Sequence, residues 1–172
     1  SVDEVKKIIG FGVEKVGISS CAISDSRIIT EASEEVGSQS VVAVLDVKKK
    51  ILGGYSVFTH NGKRDSGKKL IELAKELTEK GAGELVINSI DKDGLMNGYD
   101  ENIISLIKNE VSVPLTLVGG AGKLDHISNL VSNYGVIGAG AGSMFVFKGK
   151  YKAVLISYPT ESEKRLIYKS SY

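Results

Sequence analysis

Apolar positions along the chain alternate between helical and extended spacing. In the first segment they fall at 2, 5, 8 and 9, which predicts a short amphipathic helix from Val2 that ends at Gly10 or Gly12. Lys15 to Ser19, with Val16-Gly17-Ile18 at its middle, reads as a short buried strand, and Asp25 to Val36 as a helix. Ser40 to Val47 is rich in β-branched residues and apolar on both faces, as a strand inside a parallel sheet should be. Residues 48–62 read as a hairpin, with Lys48-Lys49-Lys50, then Gly53-Gly54, then an alternating Tyr55 to Thr59, then Asn61-Gly62. Ser66 to Lys80 places Leu70, Leu73, Ala74 and Leu77 on one helical stripe and closes at Gly81. Glu84 to Ser89 and Val113 to Val118 are strands, and Glu101 to Asn109 and Lys123 to Asn133 helices. Gly135 to Gly138 leads a last strand, and Ser143 to Phe147 forms a short extra helical turn.

Strands alternating with helices through short loops predict a parallel α/β fold with five strand candidates. A doubly wound open sheet can be built from such a series. Polar and glycine residues collect just after the strands, however: Ser19-Ser20, Asp46, residues 88–98, 119–122 and 140–143. A ligand face spread over every strand end is the signature of a (β/α)₈ barrel rather than of a single switch point. The expectation is therefore an incomplete TIM-type barrel of about five βα units, forming one domain over residues 1–172.

Composition changes this picture little, apart from glycine. Hydrophobic residues make up 42% and charged residues 25%, and Lys plus Arg at 22 balance Asp plus Glu at 21, so no basic stripe points to nucleic acid. The longest apolar runs are too short to span a bilayer, and the first residues have no charged and apolar segments of a signal peptide. A single cysteine, Cys21, excludes an internal disulfide framework and fits a reducing cytoplasm; it reads as a small packing residue. His60 and His126 form no recognisable metal set, and no cofactor is expected. Ten of the 20 glycines are knotted at the ends of apolar runs: Gly81/Gly83, Gly94/Gly98, Gly119/Gly120/Gly122 and Gly138/Gly140/Gly142. There they serve turns and let backbone approach a ligand closely.

Asp46 follows a run of apolar residues and should stand at a dry strand end, a setting suited to general acid/base chemistry. A turn-capping aspartate, or one paired with Lys48, fits the same position. Asp91-Lys92-Asp93-Gly94 lacks the spacing and terminal glutamate of a calcium loop, leaving a plain turn or a ligand loop. Gly119-Gly120 and Gly140-Ala141-Gly142-Ser143 would bring N–H groups, and the positive end of a short helix, close to an anion. Phe145, Phe147, Tyr151 and Tyr158 read as core or tail packing.

Several stretches then resemble one family in order along the chain. Gly81 to Gly94, continuing through Asn97-Gly98-Tyr99-Asp100, is similar to the sixth-strand signature of the cyclase subunit of imidazole glycerol phosphate synthase. Val113 to Gly122 resembles its seventh-strand loop, Gly37 to Lys48 its fifth strand and Lys15 to Ser20 its fourth. That family makes imidazole glycerol phosphate and an aminoimidazole carboxamide ribotide from an open-chain ribulosyl aminoimidazole nucleotide. The ammonia comes from a partner glutaminase subunit and travels through the barrel.

The resemblance implies a lyase of histidine biosynthesis. Asp46 is then the acid/base. Asn88, Asp93, Gly94, Gly119, Gly120, Gly142 and Ser143 bind substrate or its phosphate, and Ser19 and Ser20 belong to a second phosphate site. Lys15 and Glu84 are two of four charged residues gating ammonia. The resemblance starts at the family's third helix, so three strands of a barrel of about 250 residues are missing, and the open edges imply self-association. Val118 stands where the family has a serine, and the stretch from Phe145 to Pro159 departs from the usual tail. That tail resembles a branch associated with amidation of surface-polysaccharide sugars, an alternative in which the barrel only conducts ammonia or is an inactive scaffold.

Overall fold

The structure is a computed structural model that describes residues 1–169; the last three residues of the expected domain lie outside the described residues. The chain runs α1 (Val2–Gly10), β1 (Val16–Ile18), α2 (Ser20–Ser24), α3 (Arg27–Val36), β2 (Val41–Lys49), β3 (Tyr55–Thr59), β4 (Arg64–Lys69), α4 (Leu70–Glu79) and β5 (Glu84–Ser89). It continues with α5 (Glu101–Ile107), β6 (Leu115–Val118), α6 (Leu124–Tyr134), β7 (Gly138–Ala139), α7 (Ser143–Val146), β8 (Phe147–Lys148), β9 (Ala153–Val154) and α8 (Glu161–Lys169).

Five of these strands are parallel and stand in the order β1-β2-β5-β6-β7. This is the βα series expected from the alternation of extended and helical runs. The edge of β2 is shared: its first residues pair with β1, and its last four pair with β3 in antiparallel register, Asp46 opposite Phe58 and Lys49 opposite Tyr55. β3 in turn pairs with β4, so the hairpin expected at 48–62 is a three-stranded antiparallel extension built on the far end of β2.

The two sheet faces differ sharply. Ala43, Leu45, Val47, Leu85, Ile87 and Leu117 are fully buried, on the side where Leu73, Ala74 and Leu77 of α4 and Ile103, Ile104 and Ile107 of α5 join the same core. Each such large aliphatic side chain contributes about 1.5–3 kcal/mol by leaving water. Because side chains alternate along a strand, Val44 and Asp46, Glu84, Val86 and Asn88, and Thr116 and Val118 point to the other face, and all seven are half-buried. The register aligns them in cross-strand rows: Asp46–Asn88–Val118 nearest the strand ends, Val44–Val86–Thr116–Gly138 below, and Val42–Glu84 at the bottom.

Four readings of the pattern need correction. The helix expected from Ser66 begins at Leu70, because residues 64–69 pair with β3. Ser66 Oγ donates to Val57 O at 2.6 Å, and Gly67 takes φ +74°, which a helix does not admit. The helix expected from Asp25 begins at Arg27, with the Arg27 N–H donating to Asp25 Oδ1 at 3.1 Å; a separate turn, α2, precedes it. Cys21 is exposed rather than packed, since Ala22 and Ile23 occupy the inward positions of α2. Tyr151 is 90% exposed, so it packs in neither core nor tail; Phe145 and Tyr158, by contrast, meet with ring centroids 5.1 Å apart. The hairpin β8–β9 and helix α8 were not anticipated.

Candidate anion pocket and acid–base pair

The exits of β5, β6 and β7 converge on one pocket of about 300 Å³. Its walls are Asp93 and Gly94 from the loop after β5, residues 118–121 after β6, and residues 140–143 after β7. Six expected site residues, Asp93, Gly94, Gly119, Gly120, Gly142 and Ser143, therefore come together here, along with Gly140 and Ala141 of the same expected anion loop, Val118, and Ala121, which had no assigned part.

Backbone conformation explains the glycines at the pocket floor. Gly119 and Gly120 have φ +93° and +103°, where a side chain is strained, and a Cβ on Gly120 would lie 2.2 Å from the Gly98 carbonyl oxygen. That closeness exists because the Gly98 N–H donates to Gly120 O at 2.8 Å, which ties the long β5–α5 loop to the β6–α6 loop. Tyr99, buried beside it, donates its hydroxyl proton to Gly140 O at 2.9 Å and fixes the third loop; burial pushes its phenol up to about 12. Gly122 N–H donates to His126 Nδ1 at 3.1 Å, and burial followed by the Lys123 charge lowers the imidazole below its ordinary value, in keeping with a neutral acceptor ring.

Three loops are thus held by side chains and backbone, yet the N–H groups of Gly120, Ala121, Gly142 and Ser143 find no acceptor among the described residues. Gly120 and Ala121 are buried. A buried, unpaired N–H costs about 1–3 kcal/mol, and backbone donors in such positions are ordinarily satisfied. At four residues α7 is too short for a useful dipole, so individual amides, not a helix end, define the electrostatics.

Two strands from Val118, Asp46 lies on the same face at the same level. At about 4.8 Å between strands, the carboxylate is roughly 10 Å from the pocket wall. Asn88 Nδ2 donates to Asp46 Oδ1 at 2.9 Å, while Asn88 Oδ1 is buried with no partner. The amide thus orients the carboxylate and leaves its own oxygen beside Gly119, 3.2 Å from where a Cβ there would stand. Among the described residues Asp46 forms no ion pair with Lys48, and the hydrogen bond its carboxylate accepts comes from Asn88 rather than from a turn N–H.

Ser19 and Ser20 do not line this pocket. They follow β1, on the far side of β2 and β5; Ser19 caps α2 without a side-chain bond, and Ser20 Oγ accepts the His60 N–H at 3.1 Å. At the opposite end of the sheet, Lys15 and Glu84 form an ion pair of 2.6 Å, and Thr116 Oγ1 donates to the other Glu84 oxygen at 2.7 Å. Burial opposes ionisation of Glu84, but the Lys15 and Thr116 hydrogen bonds outweigh it and hold its carboxyl below the ordinary value. Two residues far apart in sequence, both expected at this end, therefore meet; Thr116 was missed because a threonine inside a strand carries no signal of its own. Tyr55, whose hydroxyl donates to Asp100 Oδ2 at 2.7 Å in the interior, was missed because 45 positions separate the pair.

Comparison of the sequence with known proteins places the chain in a family. The profile described as "Histidine biosynthesis protein" matches residues 1–152. A protein of Leptospira borgpetersenii provisionally named imidazole glycerol phosphate synthase subunit HisF is 48% identical over 168 residues, covering 97% of this chain and 66% of its own length. One of Vibrio vulnificus, provisionally named as subunit hisF3 of the same synthase, is 50% identical over 166 residues, 96% of this chain and 64% of its own length. The imidazole glycerol phosphate synthase subunit HisF of Sulfurisphaera tokodaii is 41% identical over 126 residues, 73% of this chain and 50% of its own. The chain thus spans just under two thirds of the first two relatives it matches.

Proposed function

The chain belongs to the histidine biosynthesis protein family, and from that premise we propose that it is the phosphate-holding, acid–base part of an ammonia-dependent cyclase of the imidazole glycerol phosphate synthase type. The observation that carries this reading is the set of amides at Gly120, Ala121, Gly142 and Ser143, without an acceptor among the described residues, around a pocket of about 300 Å³.

An open-chain ribulosyl aminoimidazole nucleotide with two phosphates would anchor one of them on these amides. Such donors suit an anion because they are fixed by the fold and need no reorganisation on binding. Asp93 at the rim accepts from substrate hydroxyl or amine groups. The reacting carbons then lie over the Asp46–Asn88 pair, where Asp46 takes a proton as ammonia adds and returns one as the ring closes. Asn88 Oδ1, with no partner among the described residues, accepts from a substrate N–H or O–H. Ser19 and Ser20, which follow β1 on the other side of β2, would meet the second phosphate.

Ammonia would enter at the far end of the same face. Glu84 lies four residues before Asn88 on β5, roughly 13 Å at strand rise, and the side chains between on β2 and β5 are Val44 and Val86. Uncharged ammonia passes an apolar wall that ammonium cannot, and the Lys15–Glu84 pair at the entrance is the charged element a glutaminase subunit would engage. No observation in the fold or in the relatives' names favours sugar amidation, so that alternative is not carried further.

The test is turnover of the ribulosyl nucleotide by the full-length protein with ammonium salt in place of a glutaminase. Asp46→Asn should lower turnover by about 10²–10⁴-fold, the usual contribution of a positioned acid/base, with phosphate binding unchanged. Substrate that binds tightly yet is not converted by the wild type would sink the cyclase reading.

A further inference from the structure

The charged side chain among the residues lining the amide pocket is Asp93, which is negative, whereas a phosphate monoester carries between one and two negative charges near neutrality. The hairpin that follows the pocket supplies the opposite sign. Lys148, Lys150 and Lys152 alternate along β8 and its turn, and Lys152 Nζ donates to Gly94 O at 3.1 Å, across 58 positions of sequence. Gly94 is itself a wall of the pocket, so the ammonium is held next to that wall, just outside the lining residues.

The tether to that wall is short. Ser143, another wall residue, opens α7, and β8 follows α7 without a loop. The hairpin is stapled back onto α7 by Leu155 N–H to Val146 O at 2.9 Å and Ser157 N–H to Phe145 O at 2.8 Å, and its turn closes with Lys152 N–H to Gly149 O at 3.1 Å. Lys152 takes φ +50°, a left-handed conformation that a long side chain adopts at a cost. Pocket, helical turn and hairpin thus form one continuous unit that carries a cation to the site.

The geometry points to Lys152 as the charge-selecting residue of the anion pocket, the group that makes it prefer a doubly ionised phosphate monoester over singly charged anions. Inorganic phosphate and a phosphate ester share this chemistry. The inference rests on the phosphate reading of the pocket. The backbone amides fix where the oxyanion lies, while the Lys152 ammonium, on its flexible stem, follows the second charge.

The experiment is a titration of the full-length protein with inorganic phosphate, followed by amide NMR, between about pH 6 and pH 8.5 and at two salt concentrations, a window that brackets the second ionisation of phosphate. Wild type should bind more tightly as inorganic phosphate loses its second proton, near neutrality and about one unit above the value near 6 of a phosphate ester. Lys152→Gln should bind about tenfold more weakly at the upper pH, as expected for one charge pair a few ångströms apart in a partly solvated site. It should also lose most of the pH and salt dependence, and Lys152→Arg should restore both. Lys150→Gln, on the same hairpin, should change binding little; a loss equal to that of Lys152→Gln would show only a general field and overturn the assignment. Binding by Lys152→Gln indistinguishable from wild type would overturn the role of Lys152 and leave the pocket standing. If wild type binds no phosphate, the pocket reading fails and takes this inference with it.

Discussion

Replacing Gly120 by alanine puts a methyl carbon 2.2 Å from the Gly98 carbonyl oxygen, 2.8 Å from its carbon and 3.1 Å from Lys92 Cβ, on a backbone at φ +103°. An L-residue forced to positive φ costs roughly 1–2 kcal/mol. Relieving the contact needs a shift of about 1 Å, which breaks the hydrogen bond from Gly98 N–H to Gly120 O and costs about 0.5–1.5 kcal/mol more. With residual crowding the total is about 2–4 kcal/mol, and at about 2–4 °C per kcal/mol for a domain of this size the melting temperature should fall by roughly 4–16 °C. Gly142→Ala is the matched control: its φ is −125° and a Cβ meets nothing within 4 Å, so its stability should stay within about 0.5 kcal/mol of wild type. Urea and thermal unfolding of the three proteins, with phosphate titrations beside them, make the assay. If Gly120→Ala melts with Gly142→Ala and binds phosphate equally well, the loop closure described here is wrong.

Other consequences are simpler to read. Because the Glu84 carboxyl is held below its ordinary 4.5, the stability it brings is complete above that value and fades as pH falls through its lower folded value. The difference in urea midpoint between wild type and Glu84→Gln should therefore be largest at neutral pH and shrink below about pH 4.5; a pH-independent difference would contradict the ion pair's part. The outer edges of β1 and β7 pair with no strand among the described residues, and the Val44–Val86–Thr116 face carries no helix. Such edges recruit partners, so light scattering of this chain alone should show concentration-dependent association, and a monodisperse monomer across the range would refute it.

What could be read from sequence divides along physical lines. The parallel strands were legible because short β-branched apolar runs such as Val41 to Leu45 favour extended structure, and the loops because glycine is what a positive φ requires at Gly119 and Gly120. The start of α4 was not: Ser66 to Lys69 continue a helical spacing, and only pairing with β3 and the Ser66 bond to Val57 O make them extended. Helix α2 was hidden because five residues carry too little periodicity to register. Asp46 and Asn88 were both named, yet their mutual hydrogen bond follows from strand register, which single-strand patterns do not encode. Lys152 went unnoticed although the alternation of Lys148, Lys150 and Lys152 was visible, because nothing local ties that hairpin to Gly94.

The most direct measurement is the map of amide resonances that move when inorganic phosphate is added to the wild-type protein. Saturable downfield shifts at Gly120, Ala121, Gly142 and Ser143 are predicted, since these N–H groups have no acceptor within the described chain. Shifts confined to other residues, or none at millimolar phosphate, would contradict the account.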